Sequence, residues 1–314
     1  MLQRDLEPRI AILLSTFNGA RYLREQLDSL LAQSFPNWTL YWRDDGSSDD
    51  TVALMDEFAA SAGQGRCVRI DGPPGRLRPT GSFLALLESV HAALGEDDMV
   101  AFADQDDVWL PEKLSRGASA LRQAATTVPS LYCARQILVD AELRRIGVSP
   151  GIAHPAGFPA ALTQNVTTGC TIMLNRAAAG VIARSHPPSA TLHDWWCYLV
   201  VTAAGGILLD DDEPVVLYRQ HTANLVGAPR SMARRAVAAM QRGSSVFMNV
   251  LRQHVAALVA QPELMSPTTR AQVMAIHQAL NGNKLRRLAV LRMPGLRRQT
   301  WPETMLFRLW FLLG

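Results

Sequence analysis

"RIAILLSTFNGARYLREQLDSLL", residues 9–31, joins a continuous apolar run to a short polar turn and then to leucines at positions 23, 27, 30 and 31. A run of four to eight apolar residues suits a strand buried on both faces, and the spacing that follows is that of one helical face. The stretch reads as one βα unit, whose strand ends at the polar cluster Ser15–Asn18. The pattern then repeats. "WTLYWR" (38–43) runs into "DDGSSDDT", whose Asp and Ser are good helix N-caps, and Val52, Met55, Phe58 and Ala59 mark the next helical face. "CVRI" (67–70), a Gly/Pro-rich loop, a helix from about Ser82 to Leu94 and the strand "DMVAFA" (98–103) continue the alternation. Strands alternating with helices predict an α/β fold, a mainly parallel sheet flanked by helices. Ligands of such sheets bind beyond the carboxyl ends of the strands. The clusters Ser15–Asn18, Asp44–Ser48 and Asp104–Asp107 should therefore converge on one acidic crevice.

Composition narrows the class. A chain of 314 residues with 48% hydrophobic residues can bury a large core, as one large or two smaller domains. No apolar stretch reaches the roughly 18 residues a spanning helix needs, and "MLQRDLEPRI" lacks a signal-peptide core, so a cytoplasmic location is expected. Cys67, Cys133, Cys170 and Cys197 show no CxxC pairing and are expected as buried free thiols. The net charge of +3 conceals a split: residues 230–314 carry 13 basic against 2 acidic side chains, leaving 18 against 26 for residues 1–229. The expected organisation is a domain over 1–228 and a basic, mostly helical extension over 229–314.

In "AFADQDDVWLPEKL" (101–114) three carboxylates crowd into four positions after an apolar run. Such a crevice would repel a phosphorylated ligand unless a cation stood between them. Asp104 and Asp106 leave the strand on the same side, and oxygen ligands of this kind suit Mg²⁺ or Mn²⁺ bridged to phosphates. The alternative is that Asp106 or Asp107 only caps a helix starting near Pro111. "TLHDWWCYLVVTAAGG" (191–206) sets Asp194 where a helix begins, a place for a base or for an N-cap. "EPVVLYRQH" (213–221) reads as a strand ending in Tyr218–His221, where a neutral imidazole could bind Mn²⁺ and Arg219 phosphate oxygens.

Five blocks in order, "LLSTFNGARYLREQLDSLLAQSFPNWTLYWRDDGSSDDT", "FADQDDVWLPEKL", "NVTTGCTIMLNR", "HDWW" and "VLYRQHTANLVG", resemble family-2 glycosyltransferases of the GT-A fold over about residues 8–228. The forms "DQDDVW" and "YRQH" look like the bacterial rhamnosyltransferase-like branch. The resemblance implies an inverting, metal-dependent transferase moving a sugar, L-rhamnose from dTDP-rhamnose, to a saccharide or glycolipid acceptor in surface polysaccharide or lipopolysaccharide synthesis. It also implies a UDP-sugar donor as the alternative. Ser15 and Phe17 then hold the base, and Asp45 accepts the imide N–H of a pyrimidine. Asn18, Arg76, Gln105 and Arg219 join the nucleotide-sugar site, with Arg76 and Arg78 in a loop that could close over the diphosphate. The metal set is Asp106, Asp104 and His221, with Asp104 nearer the ribose or a metal-bound water. Asp194 is the base and His193 its substitute, while Trp195 and Trp196 offer an acceptor platform, although one of two adjacent helical tryptophans fits the core better. A Mg²⁺-dependent phosphohydrolase would need a nucleophilic Asp in Ser15–Asn18, and there is none. A non-catalytic nucleotide-sugar-binding protein would not need Asp194.

The extension reads differently from the body. "NKLRRLAVLRMPGLRRQ" (283–299) interleaves six basic residues with leucines, and "WPETMLFRLWFLLG" (301–314) adds aromatics. Two accounts are open: the aromatic end packs back on the body, or the segment is a peripheral anchor on the anionic inner leaflet. No nucleic-acid recognition motif accompanies the charge.

Overall fold

In a computed structural model of the chain, residues 8–61, 65–72, 75–189, 191–221 and 232–314 are described. The first half is the predicted alternation: β1 (Ile10–Thr16), α1 (Ala20–Leu31), β2 (Trp38–Asp44), α2 (Thr51–Ser61), β3 (Cys67–Arg69), α3 (Arg78–His91) and β4 (Met99–Ala103). The second half runs β5 (Val108–Trp109), α4 (Lys113–Leu121), β6 (Ser130–Val139), β7 (Arg145–Val148), β8 (Met173–Asn175), α5 (Arg176–Ala183), α6 (His193–Ala203) and β9 (Ile207–Arg219). The extension adds α7 (Met232–Ala260), α8 (Pro267–Leu280), α9 (Lys284–Val290) and α10 (Trp301–Leu313). The boundary expected at residue 228 lies outside the described residues.

The strands form one sheet in the order β3-β2-β1-β4-β8-β6-β9-β5, with β7 beside β6. Its parallel part is β3-β2-β1-β4, and beyond β4 the sheet is mixed, because β8 runs antiparallel to both β4 and β6. A parallel neighbour needs a crossover of a dozen residues or more. The chain instead turns back in the β6–β7 hairpin and reaches β8 through loops and short 3₁₀ turns. Ladder register builds the crevice. Thr16 stands opposite Asp44 and Leu14 opposite Ala103, so the three polar clusters emerge side by side. β9 pairs with β5 and delivers its own carboxyl end to the Asp104–Asp107 turn.

β1 shows why both faces must be covered. Ile10, Ile12 and Leu14 enter the core that includes Leu23 and Leu27 of α1, while Ala11 and Leu13 enter the other. That second core continues from Phe83 on α3 and Leu199 on α6 to Leu251 and Val255 on α7 and Phe307 and Phe311 on α10. The extension thus packs on the same face as α3 and α6. Among the described residues no helix is long and apolar enough to cross a membrane. Cys133, Cys170 and Cys197 are buried free thiols, and Cys67 is a half-buried one.

Candidate active site

The end of β1 is held by reciprocal bonds. Phe17 N–H donates to Gln105 Oε1 at 2.9 Å, and Gln105 Nε2 donates to the Phe17 carbonyl at 3.0 Å. The amide lies so close that a Cβ on Gly19 would stand 2.2 Å from Gln105 Oε1. Asn18, with φ +46°, accepts Ser48 N–H at 2.8 Å. Gln105 and Asn18 therefore lace the strand ends together. Asp44 closes the next turn, accepting from Ser47 N–H and Oγ, Gly46 N–H and Thr16 Oγ1. Burial alone would raise its carboxyl, but those donors hold it below the ordinary carboxylate range.

Asp45 is buried beside a chain of hydroxyls and a guanidinium. Ser15 donates to Ser82 Oγ at 2.8 Å, and Arg43 Nη1 reaches Ser82 at 3.2 Å and Asp45 Oδ1 at 2.6 Å. Leu77 and Arg78 N–H groups also donate to Asp45, each at 2.7 Å. The Arg76 guanidinium stacks 3.6 Å from the Phe17 ring centre and 3.8 Å from Asp45 Oδ2. The segment after Gly75 thus lies over both Phe17 and Asp45, the residues expected to receive a base, with Arg76 on the Phe17 ring.

At the β4 end, Asp106 Oδ2 and His221 Nε2 are 2.8 Å apart, both partly accessible. Asp104 is pushed above the carboxylate range by burial and then by the charges of Asp106 and Asp194. A carboxylate and an imidazole meeting at strand ends are a donor set suited to Mn²⁺ or Mg²⁺. Among the described residues, the three groups that converge within 4.8 Å are, however, Asp104, Asp107 and Cys170. Asp107 and Cys170 are fully buried, and the Lys113 ammonium already stands among them, 3.4 Å from the Trp109 ring centre. Burial lowers Lys113 to about 7, while Cys170, Asp107 and Asp104 oppose that fall. Asp107 and Cys170 are closed off from solvent, so the accessible Asp106–His221 pair is the better fit for a metal.

Two expected roles meet obstacles. Arg219 is 1% exposed, donating from Nε to the Asp106 carbonyl, from Nη1 to the Ala141 carbonyl and from Nη2 to Glu25. Its backbone N–H donates to Asp107 Oδ1 at 3.1 Å. Arg219 therefore holds the turn in place from behind and does not project toward a phosphate. Asp107 anchors β9 rather than capping a helix.

α6 positions Asp194 in its first turn, partly exposed to a cavity of about 630 Å³. Burial raises its carboxyl to about 6, although Trp195 N–H, the Asn165 side chain and Gly169 N–H all donate to it. Its neighbours separate by helical geometry. Trp195 lines the same cavity, with Nε1 donating to the Ala161 carbonyl at 2.7 Å. Trp196, one residue and about 100° further round, is fully buried and donates to Ser185 Oγ at 2.7 Å. His193 also faces inward, stacked on Phe83 at 4.2 Å and lowered to about 3 by burial. A Cβ on Gly169 would stand 2.5 Å from its Nε2. Trp196 and His193 are thus core residues rather than acceptor contacts, and an imidazole held so firmly neutral is a poor substitute base. Lys113 and Asn165 carried no individual signal in the sequence: the lysine reads as an ordinary surface residue of "PEKL", and the asparagine as one polar residue among several in "NVTTGC".

This geometry has relatives. The dTDP-rhamnosyl transferase RfbG of Shigella flexneri is 26% identical over 228 residues, 68% of this chain and 74% of that protein. The Escherichia coli UDP-Glc:alpha-D-GlcNAc-diphosphoundecaprenol beta-1,3-glucosyltransferase WfgD is 28% identical over 112 residues, 36% of this chain and 40% of that one. Among solved structures, S. aureus TarS 1–349 in complex with UDP-GlcNAc superposes with TM-score 0.58 at 15% identity, covering 86% of this chain and 72% of that one. The mannosyltransferase PcManGT from Pyrobaculum calidifontis, in complex with GDP-Man and Mn²⁺, gives 0.50 at 17% identity, covering 96% and 87%. Those likenesses show the fold. The profile of Glycosyl transferase family 2 matches residues 11–178, more than half of the sequence, and with the GT-A-like sheet and the acidic crevice at its strand ends, the chain belongs to that family.

Proposed function

We propose that the protein is an inverting, divalent-metal-dependent transferase that moves L-rhamnose from dTDP-rhamnose to a saccharide or lipid-linked acceptor in cell-surface polysaccharide synthesis. The observation that carries it is the placement of Asp194 in the first turn of α6, at the wall of a cavity of about 630 Å³, where burial raises its carboxyl to about 6. A base works best with a pKa near the operating pH. Asp194 takes the proton of the acceptor hydroxyl as that oxygen bonds to the anomeric carbon. The bond from that carbon to the diphosphate breaks, and its electron pair leaves with the nucleotide. One displacement with one base inverts the anomeric centre. Asp106 and His221, with Asp104 behind them, would hold Mg²⁺ or Mn²⁺, which supplies charge stabilisation for a departing diphosphate. Phe17, Ser15 and Asp45 provide a face and acceptors for a pyrimidine once Arg76 moves aside. RfbG favours the dTDP donor, and WfgD and TarS favour a UDP-sugar as the second reading. The exposed basic surface of the extension supports peripheral contact with an anionic membrane.

The test is a panel of dTDP-, UDP- and GDP-sugars with Mg²⁺ or Mn²⁺, read as nucleotide release. Release from dTDP-rhamnose, abolished by excess EDTA, is expected. Full activity in EDTA would remove the metal, and turnover confined to a UDP-sugar would remove rhamnose.

A further inference from the structure

The cavity that begins at Asp194 is larger than a sugar ring needs, and its lining holds charged residues, among them Asp210, Asp211, Asp212, Arg298 and Glu303, as well as an apolar wall. Its volume, about 630 Å³, falls in the range that encloses a whole drug-sized ligand. Its lining is divided. Near Asp194 stand amides and hydroxyls, among them Asn165, Thr167 and Thr168, groups that suit a saccharide. A second part comes from the extension: Val246, Phe247 and Val250 on α7 and Trp310 on α10. Val246 keeps 52% of its surface exposed. Phe247 lies edge-on to Phe307 at 6.0 Å and tilted on Trp310 at 5.6 Å, so this wall is a continuation of the core. Polar residues of the extension bind it to the body beside the cavity. Gln299 N–H donates to Gln164 Oε1 at 3.0 Å, and Thr163 Oγ1 donates to the Arg297 carbonyl at 2.9 Å.

We propose that the acceptor is an amphiphile, a saccharide joined to a hydrocarbon chain, with the accepting hydroxyl at Asp194 and the first methylenes of the chain on Val246, Phe247, Val250 and Trp310. The role of Asp194 rests on the glycosyltransferase reading; the apolar subsite does not. A free sugar would fill the polar end and leave this wall wet. A hydrocarbon chain removes the wall from water, and each methylene buried there strengthens binding about fourfold. The same extension exposes leucines among arginines on its outer side, which suits a chain entering from an anionic lipid surface.

The experiment is calorimetry on the full chain with n-octyl β-D-glucopyranoside, below its micellar concentration, against methyl β-D-glucopyranoside. The octyl compound should bind roughly 100-fold tighter or more, since it offers seven further methylenes. Val246→Asp should lose at least about tenfold for the octyl compound, because the new carboxylate faces the chain. Its binding of dTDP or UDP with Mn²⁺ should match the unaltered protein, which also shows that the variant is folded. Should Val246→Asp fail that control, the nearly isosteric Val246→Thr replaces it, with a loss of a few fold expected. Equal affinity for the octyl and methyl compounds, or an octyl affinity untouched by a folded variant, overturns the proposal. If neither dTDP nor UDP binds the unaltered protein while the octyl preference remains, the transferase reading fails and the apolar subsite stands.

Discussion

Asp194 concentrates the conflict between stability and use. Its carboxyl is raised to about 6 by burial, against an ordinary value near 3.9 in an unfolded chain. Between those two values the native state holds a proton that the unfolded state has lost, so stability falls as pH rises through this window. Above about pH 6 the whole cost of an ionised, buried Asp194 is present. Asp194→Asn removes that cost and should raise stability at pH 7 by on the order of 2 kcal/mol, with the gain vanishing below about pH 4. If Asp194 is the base proposed above, the same change should lower transfer about 10²-fold or more, because the acceptor proton then has no receiver. In the unaltered enzyme kcat/KM should fall about tenfold per unit as pH drops below 6, since the protonated carboxyl cannot act. Thermal unfolding at pH 4 and 7, beside a pH–rate profile, checks both; an Asn variant less stable at pH 7 would mean that the carboxylate is structural. The positions of Asp194 at the start of α6 and of Asp106 beyond the end of β4 were legible because a carboxylate at an element terminus is a local pattern. The setting of Arg219 was not, because whether a guanidinium faces a phosphate or Glu25 depends on contacts 194 positions apart.

At the level of elements, the β1–α1 pattern was read directly from a period change, and the parallel half of the sheet followed from it. The mixed half was not readable, because β5 and β8 are only 2 and 3 residues long and take their direction from neighbours. The segment leading into α3 is the element with the clearest consequence for binding. Gly75 and Arg78 both adopt positive φ, at +93° and +60°, and for arginine this is an uncommon, strained state. The strain is held by the two N–H bonds to Asp45, by Arg43 Nη2 donating to the Gly75 carbonyl at 3.0 Å, and by the Arg76 stack on Phe17. A base binding on Phe17 must first displace that guanidinium. An exposed cation–π contact contributes about 0.5–1 kcal/mol, so Arg76→Ala should bind uridine or thymidine two- to fivefold tighter. Fluorescence or calorimetric titration with the nucleosides measures it. Unchanged affinity would mean that the base does not use the Phe17 face.

Across the whole molecule, the extension settles a choice that the sequence left open, because its helices have two different sides. Val290, Leu291, Leu296, Phe307, Trp310 and Phe311 enter the core, so the aromatic end does pack on the body. The outer side leaves Leu285 and Trp301 about three-quarters exposed, at 75% and 73%, beside exposed Lys284, Arg286, Arg292, Arg297 and Arg308. α9 is only 7 residues long and α10 is mostly apolar, so periodicity alone could not say which side meets the body. Removing the chain beyond residue 281 is therefore the wrong test of membrane contact. It would take three core aromatics away at about 3–5 kcal/mol each, comparable with the entire 5–15 kcal/mol stability of an ordinary protein. Charge reversal on the outer side avoids this. Each basic residue near an anionic surface contributes about 1 kcal/mol, so Lys284→Glu, Arg286→Glu and Arg292→Glu together should weaken binding to phosphatidylglycerol-containing vesicles by about 100-fold or more. All three side chains are exposed, so the melting temperature should stay within a few degrees. Binding of the unaltered protein should itself fall steeply as salt is raised, because exposed charges are screened beyond about 10 Å at 0.1 M. Vesicle flotation resolves the outcome: a folded triple variant that still floats with anionic vesicles would confine the extension to packing.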